Sequence, residues 1–270
     1  MHPLKGIALK ICSVITFITM ASLIKATAQH VPAGQAVFFR SVFALPVILA
    51  WLAVRGDLRT GLKAASPMGH FWRGFVGTAA MGLGFAGLGL LPLPEVTAIG
   101  YAAPLMTVIL AAMFLGEQVR LFRLGAVALG MVGVLIVLGP RLSAFSGDTV
   151  EKTAALGAML VLTGALCAAL AQIYIRKLVQ SEQTSAIVFY FSVTSASLSL
   201  LTLPFGWVLP TGQEAAFLIL AGLLGGMGQI FLTSAYRFAP ASVVAPFDYA
   251  SMLFAILIGM FFFNEIPDLR

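Results

Sequence analysis

The chain has 270 residues, of which 60% are hydrophobic and 10% are charged, and its mean hydropathy is +1.01. Soluble domains carry about a quarter charged residues, so this composition excludes an ordinary soluble domain. The 16 Lys and Arg outnumber the 10 Asp and Glu, but they form no basic cluster. A membrane protein with a positively charged inner face explains this excess better than nucleic-acid binding does.

Nine apolar segments have about the 17 to 25 residues that a transmembrane helix requires. In chain order they are 6–27, 34–54, 71–91, 95–115, 121–139, 154–175, 184–205, 214–236 and 241–263, and the fifth is the shortest. None shows the alternation that is typical of barrel strands, and lipid leaves the helix as the other way to satisfy the backbone. The sequence therefore predicts an all-α integral membrane bundle.

The distribution of basic residues predicts the orientation of the bundle. With the N-terminus in the cytoplasm, most Lys and Arg lie at or near the inner face, Lys10 and Arg73 among them, and Lys25 and Arg40 lie within spans near the outer ends. The three basic residues left outside are Arg141, Lys152 and Arg270. The positive-inside rule thus favours a multi-pass protein of the inner (cytoplasmic) membrane with a cytoplasmic N-terminus.

An internal repeat relates the fourth span to the ninth. Residues 95–117 align with 243–265 at a fixed offset of 148, which superposes Tyr101 on Tyr249 and Glu117 on Glu265. Because five spans separate the copies, the copies cross the membrane in opposite directions, as in alternating-access carriers with a solute site near the bilayer midplane. We predict a first repeat at 1–139 with spans one to five, an external linker at 140–153 and a second repeat at 154–270 with spans six to nine.

Three stretches resemble a known family. They are AVFFRSVFALPVI at 36–48, LPLPEVTAIGYAAPLMTVILAAMFLGE at 91–117 and AYRFAPASVVAPFDYASMLFAILIGMFFFNE at 235–265. They resemble the ten-helix EamA-type branch of the drug/metabolite transporter superfamily over nearly the whole chain. The resemblance implies ten helices with both termini inside, and transport of metabolites such as amino acids, often as efflux. It also implies a tenth helix beyond Arg270.

Asp248 is the carboxylate that lies deepest in a predicted span. It is seven residues into the ninth span, about 10 Å deep at about 1.5 Å per residue, where a charge costs roughly 2.5 to 3.5 kcal/mol. It must therefore be paired, protonated or in contact with water. At that depth the candidate partners are Lys10 and Arg237. A pair would make Asp248 structural, whereas an unpaired carboxyl group could bind substrate or relay protons.

Arg40 lies six residues into the second span from its outer end. A guanidinium group in that position suits a carboxylate on a substrate. The alternatives are that its long side chain reaches the headgroup region, or that it bonds a backbone carbonyl.

Uncharged polar side chains within the spans are further substrate-binding candidates, although each could equally bond or pack between helices. They are Tyr101, Gln172, Tyr190, Gln229 and Tyr249.

Proline and glycine residues mark candidate hinges. Pro104 and Pro246 each remove an internal helix bond, and their positions in the two repeats predict kinks at different depths. The candidate glycines, which permit either bending or close helix contact, are Gly82, Gly84, Gly226 and Gly228.

A membrane-embedded enzyme is the competing class of function. Such an enzyme would need a nucleophile with its base, or metal ligands, within the membrane. His2, His30 and His70 are all expected in loops or termini, so we expect no catalytic residues, metal or cofactor. A channel is disfavoured because channels usually place oligomeric symmetry around a pore.

We therefore predict a secondary transporter that moves a small metabolite by alternating access, most simply an amino acid or related compound that it exports. Import of a larger metabolite, such as a flavin or nucleotide-like compound, is the alternative. The expected partners are the lipid bilayer and the solute, with no nucleic acid, and both a monomer and a homodimer are compatible with the sequence.

Overall fold

The computed structural model describes residues 2–58, 60–119, 121–143 and 149–264, and within these ranges every regular element is helical. The helices are α1 (Pro3–Thr27), α2 (Ala33–Val42), α3 (Ala44–Arg55), α4 (Pro67–Leu90), α5 (Leu93–Gly100), α6 (Ala102–Leu115), α7 (Leu121–Ser143), α8 (Thr149–Leu178), α9 (Thr184–Ser199), α10 (Gly212–Phe238), α11 (Ala241–Val244) and α12 (Ser251–Phe263). Of two 3-10 helices, Leu200–Phe205 extends the seventh span and Ala245–Ala250 lies within the ninth, between α11 and α12.

Each of the nine expected spans corresponds to one helix or to consecutive helices. Seven of them are long and apolar enough to cross a membrane, and the fifth contains a shorter apolar helix, Leu124–Gly139. The span formed by α4 has 24 residues but falls outside those seven, because its glycines and Arg73 lower its hydropathy. The confirmed class is an all-α membrane bundle.

The helices extend into the predicted linker between the repeats. α7 continues to Ser143 and α8 begins at Thr149, which leaves little of 140–153 between them. The extents of the two repeats remain predictions. Glu265 and the chain beyond it lie outside the described residues.

Local sequence explains where several helices end. α3 and α6 end at Gly56 and Gly116, which adopt left-handed conformations that side chains disfavour. α12 ends at Asn264 with φ 52°, and asparagine tolerates this region better than most residues. α10 begins with a capping box between Thr211 and Glu214.

The helix pairs show the inverted relationship between the repeats. α1, the first span, packs along α10, the eighth, and α4, the third span, packs along α8, the sixth. Exchanging the two repeats converts one of these pairs into the other. The second and seventh spans also contact each other, as do the fourth and ninth. The core of the bundle therefore lies between the repeats.

The fourth and ninth spans are interrupted at equivalent places. Tyr101 separates α5 from α6, and the 3-10 helix that interrupts the ninth span contains Tyr249, its equivalent at the offset of 148. Pro104 lacks the N–H that would bond the Gly100 carbonyl, which explains the first interruption. Pro246 lies within the 3-10 helix itself. The two interruptions overlap at this pair of tyrosines, but the 3-10 helix already begins at Ala245, the equivalent of Thr97, so kinks at different depths remain a prediction.

Candidate binding site between the two repeats

Two adjoining cavities lie where the repeats meet. The larger, of about 340 Å³, has Arg40, Arg73, Phe191 and Gln229 in its wall, and we call it the arginine chamber. The smaller, of about 250 Å³, has Tyr101, Pro104, Asp248 and Ser251 in its wall, and we call it the aspartate chamber. Both are lined in part by Phe17, Thr97 and Gln172. They therefore adjoin each other, and together they form a candidate site with a size typical of small-molecule pockets.

Arg40 projects from α2 and is 1% exposed. Its Nη2 donates to the Gly225 carbonyl at 3.1 Å, while Nε and Nη1 have no partner. A Cβ at Gly225 would lie 2.6 Å from Arg40 Nε, so glycine is needed there. Of the two alternatives to substrate binding, the backbone bond is present, but it uses only one of the three guanidinium nitrogens.

Arg73 of α4 reaches the same chamber and is 2% exposed. Its Nη2 donates to Gln229 Oε1 at 2.9 Å, and its Nε and Nη1 are also without partners. The long side chain of Arg73 therefore extends into the bundle and away from the headgroup region, while its position near the inner side of the membrane remains a prediction. Gly77, one turn further on, leaves room for this side chain, since a Cβ there would lie 2.5 Å from Arg73 Nη1.

The guanidinium groups of Arg40 and Arg73 both lie close to the ring of Phe191. The Cζ of Arg73 lies 3.5 Å and that of Arg40 5.2 Å from the centre of the Phe191 ring, so the two carbons are at most about 9 Å apart. At an effective dielectric constant of about 20, two unit charges at that distance repel by about 2 kcal/mol. No Asp or Glu among the described residues pairs with either guanidinium group. The chamber is thus suited to an anionic group.

Asp248 is neutralised within the protein. Lys10 Nζ lies 2.8 Å from Asp248 Oδ1, with side-chain exposures of 2% for Lys10 and 24% for Asp248. Lys10 also lies over the ring of Tyr236, whose hydroxyl donates to Gln172 Oε1. Of the two expected partners Lys10 is the one observed, because Arg237 instead donates to Thr184 Oγ1 at 3.2 Å and to the Glu182 carbonyl.

Tyr101 and Tyr249, the equivalent residues of the repeats, contact each other. Their ring centres are 4.7 Å apart, and the Tyr101 hydroxyl donates to the Tyr249 carbonyl at 3.1 Å. Tyr101 is part of the aspartate chamber wall, whereas Tyr249 is not among the residues that line it and is 38% exposed. The residues that the offset of 148 makes equivalent are therefore in direct contact.

Tyr190 lies outside both chambers. Its hydroxyl donates to the Leu62 carbonyl at 3.0 Å, and its ring lies 4.8 Å from that of His70. His70, expected in a loop, is instead in α4 and 3% exposed, with Nε2 3.4 Å from Glu182 Oε1. These side chains join the loop before α4 to α9.

The candidate hinge glycines fall into two groups. A Cβ at Gly226 would lie 3.0 Å from a carbonyl oxygen of α3, and one at Gly228 would lie 2.7 Å from the ring of Phe17. A Cβ at Gly82 or Gly84 would meet nothing within 4 Å, and Gly84 lines the arginine chamber. The α10 glycines thus permit close packing, while the α4 glycines border open space.

An inverted-repeat membrane bundle with a cavity between its halves, into which a few charged side chains project, is typical of a transporter. The chain belongs to the EamA-like transporter family, whose model matches residues 4–139 and 155–270. The resemblance that the sequence indicated is thereby confirmed.

Relatives with similar sequences are transporters. The S-adenosylmethionine uptake transporter of Rickettsia prowazekii (strain Madrid E) is 26% identical over 265 residues, covering 98% of this chain and 86% of the relative. The pseudopaline exporter CntI of Pseudomonas aeruginosa (strain UCBPP-PA14) is 29% identical, covering 97% and 89%. A protein of known crystal structure aligns with a TM-score of 0.73 at 20% identity, covering 98% and 90% of the two chains. At that identity the likeness shows the fold alone.

Proposed function

We propose that the protein exports a small metabolite that carries a carboxylate, an amino acid or related compound, by alternating access. The observation that carries the proposal is the arginine chamber, where Arg40 and Arg73 are buried and each has two nitrogens without a partner. Burying such donors is costly unless they bind something. A carboxylate bound there would satisfy them and offset the buried charge.

The depth of the chamber supports a carrier mechanism. Gly225 and Gln229, which bind the two guanidinium groups, are the fourteenth and eighteenth of the 27 residues of α10. The groups therefore lie near the middle of a spanning helix, at the depth where inverted-repeat carriers hold their solutes. Rocking of one repeat against the other would expose this depth to each side in turn.

The names of the relatives support the substrate class. One relative is an S-adenosylmethionine uptake transporter, and S-adenosylmethionine is an amino-acid derivative with a carboxylate and an amino group. Another is an exporter, which agrees with the efflux that the family resemblance implies.

We further propose that the N-terminus is cytoplasmic. Omitting the buried Lys10 and Arg73 leaves nine basic residues on the proposed inner side against three outside, so the positive-inside argument still holds. The nine are Lys5, Arg55, Arg59, Lys63, Arg120, Arg123, Arg176, Lys177 and Arg237.

Counterflow in liposomes with a panel of labelled amino acids tests the proposal. We expect the purified protein to accumulate at least one labelled amino acid against its unlabelled form, and Arg40→Gln to abolish this accumulation. Arg55→Gln is the matched control, because Arg55 is a largely exposed arginine far from the chambers. Accumulation of a flavin or nucleotide, and of no amino acid, would support the importer alternative and contradict the proposal.

A further inference from the structure

Within the proposed substrate class, on which this step rests, we infer that the site selects solutes with two negative charges. The two charges are either two carboxylates on one molecule or one phosphate monoester. Arg40 and Arg73 bind these charged groups. Arg73 is thus a second binding residue for the solute and not a structural residue.

The charge of the walls supports this inference. Among the described residues that line the two chambers, the charged ones are Arg40, Arg73 and Asp248. Asp248 is balanced by Lys10 at 2.8 Å, so two positive charges remain uncompensated. A solute that carries one carboxylate would leave one guanidinium group buried without a counter-ion, which is strongly unfavourable. Two carboxylates, or the two charges of one phosphate monoester, compensate both.

The geometry of the donors leads to the same charge class. Each guanidinium is fixed by one bond from its Nη2, to the Gly225 carbonyl or to Gln229 Oε1, and by its position on the Phe191 ring. Nε and Nη1 of both arginines remain unpaired. Two separate guanidinium groups, each with two unpaired donor nitrogens, can therefore bind two acidic groups or the several oxygens of a phosphate.

The carboxylates of Glu117 and Glu182 do not balance the positive charges of Arg40 and Arg73. Glu117 accepts bonds from the Ala241 and Ser242 amides and contacts Arg176, while Glu182 caps the amides of Ala65 and Ser66. Both carboxylates are thus engaged elsewhere, at the ends of helices. The counter-charge of the arginine chamber is most simply the solute itself.

Counterflow with two matched pairs of labelled solutes tests the inference. The pairs are glutamate with glutamine and O-phosphoserine with serine, which differ chiefly in the acidic group. We expect the acidic member of at least one pair to be carried at least about tenfold faster than its neutral partner. A preference for glutamate over glutamine indicates a dicarboxylate site. A preference for O-phosphoserine over serine indicates a phosphate site.

Two variants assign the preference to Arg73. Arg73→Gln is expected to bring the acidic-to-neutral ratio close to one, Arg73→Lys to retain part of it, and Arg55→Gln to leave it unchanged. Thermal unfolding of each variant in detergent shows whether it is folded. A lost preference in a folded Arg73→Gln protein supports the inference.

Equal rates within both pairs, or an unchanged ratio in Arg73→Gln, would overturn the inference. So would the absence of counterflow for all four solutes. In each case counterflow of any other amino acid would leave the proposed function standing, so the two failures are distinguishable.

Discussion

Lys10 of α1 and Asp248 of the ninth span form an ion pair with 2.8 Å between Nζ and Oδ1. The pair joins the two repeats beside the aspartate chamber. Its members are unequal, because Lys10 is 2% exposed whereas Asp248 is 24% exposed. Breaking a buried pair is costly mainly because of the charge that is left behind. The cost therefore depends on which partner is removed.

We expect Asp248→Asn to lower the free energy of unfolding more than Lys10→Met does. The first leaves a fully buried ammonium group, at a cost approaching the roughly 3 to 5 kcal/mol seen for broken buried pairs, whereas the second leaves a carboxylate that contacts the cavity. Unfolding in detergent measures both, and the double variant should recover stability. Full stability of Asp248→Asn together with loss of pH-driven transport would instead identify Asp248 as a proton carrier.

Two candidate hinge glycines are expected to respond oppositely to alanine. Gly226→Ala should destabilise the protein, because the new Cβ would lie 3.0 to 3.2 Å from backbone and side-chain atoms of α3. Gly82→Ala should leave stability unchanged or raise it by up to about 1 kcal/mol, since alanine is the better helix former and the space is open. Unfolding midpoints of the two variants decide the matter. A larger loss for Gly82→Ala would contradict this assignment of contacts.

Pro246 is expected to influence which side of the membrane the site faces. Pro246→Ala restores a backbone donor in the 3-10 helix Ala245–Ala250, and should favour a continuous helix. The probe is a single cysteine at Ala171, in the arginine chamber wall, in a protein whose Cys12 and Cys167 are replaced. We expect its relative labelling from the two sides to change. Pro67→Ala is the control, since a proline in the first turn of α4 breaks no helix bond, and unchanged labelling in Pro246→Ala would count against the idea.

Glu117 connects three spans at one end of the bundle. Its carboxylate accepts from the Ala241 and Ser242 amides at 3.2 Å each and lies 3.4 Å from Arg176 Nε. Glu117→Ala should lower the free energy of unfolding by about 1 to 2 kcal/mol, as lost caps do, and should change the labelling of the cysteine at position 171. Thr211→Ala removes a cap within its own turn and should lower stability without the change in labelling. Identical labelling in both variants would show that the contacts of Glu117 do not affect access to the chamber.

The number of spans and their inverted relationship were predictable, because lipid requires long apolar helices and the offset of 148 links Tyr101 to Tyr249. The pairing of Asp248 with Lys10 was also within reach, since a short carboxylate at that depth requires a partner. The role of Arg73 in the arginine chamber could not be predicted from the sequence. It lies near the start of its span, where the side chain of an arginine can point to the headgroups or into the bundle, and the rotation of the helix decides which.

The interruptions of the spans were only partly predictable. Pro104 and Pro246 indicate breaks in the fourth and ninth spans. Pro46, three residues after Phe43, indicates the break between α2 and α3 in the same way, because it lacks the N–H that would bond the Val42 carbonyl. The same break lies close to Arg40, whose bond to Gly225 depends on a glycine in another span. Such contacts between distant elements are set by packing and leave no local signal.

Labelling of the cysteine at position 171 with a membrane-impermeant thiol reagent, added to one side of the membrane at a time, tests the central claim most directly. Alternating access predicts labelling from either side, protection by any solute that shows counterflow, and loss of that protection in Arg40→Gln. Labelling from one side alone, or transported solutes that give no protection, would contradict the assignment of the arginine chamber as the solute site.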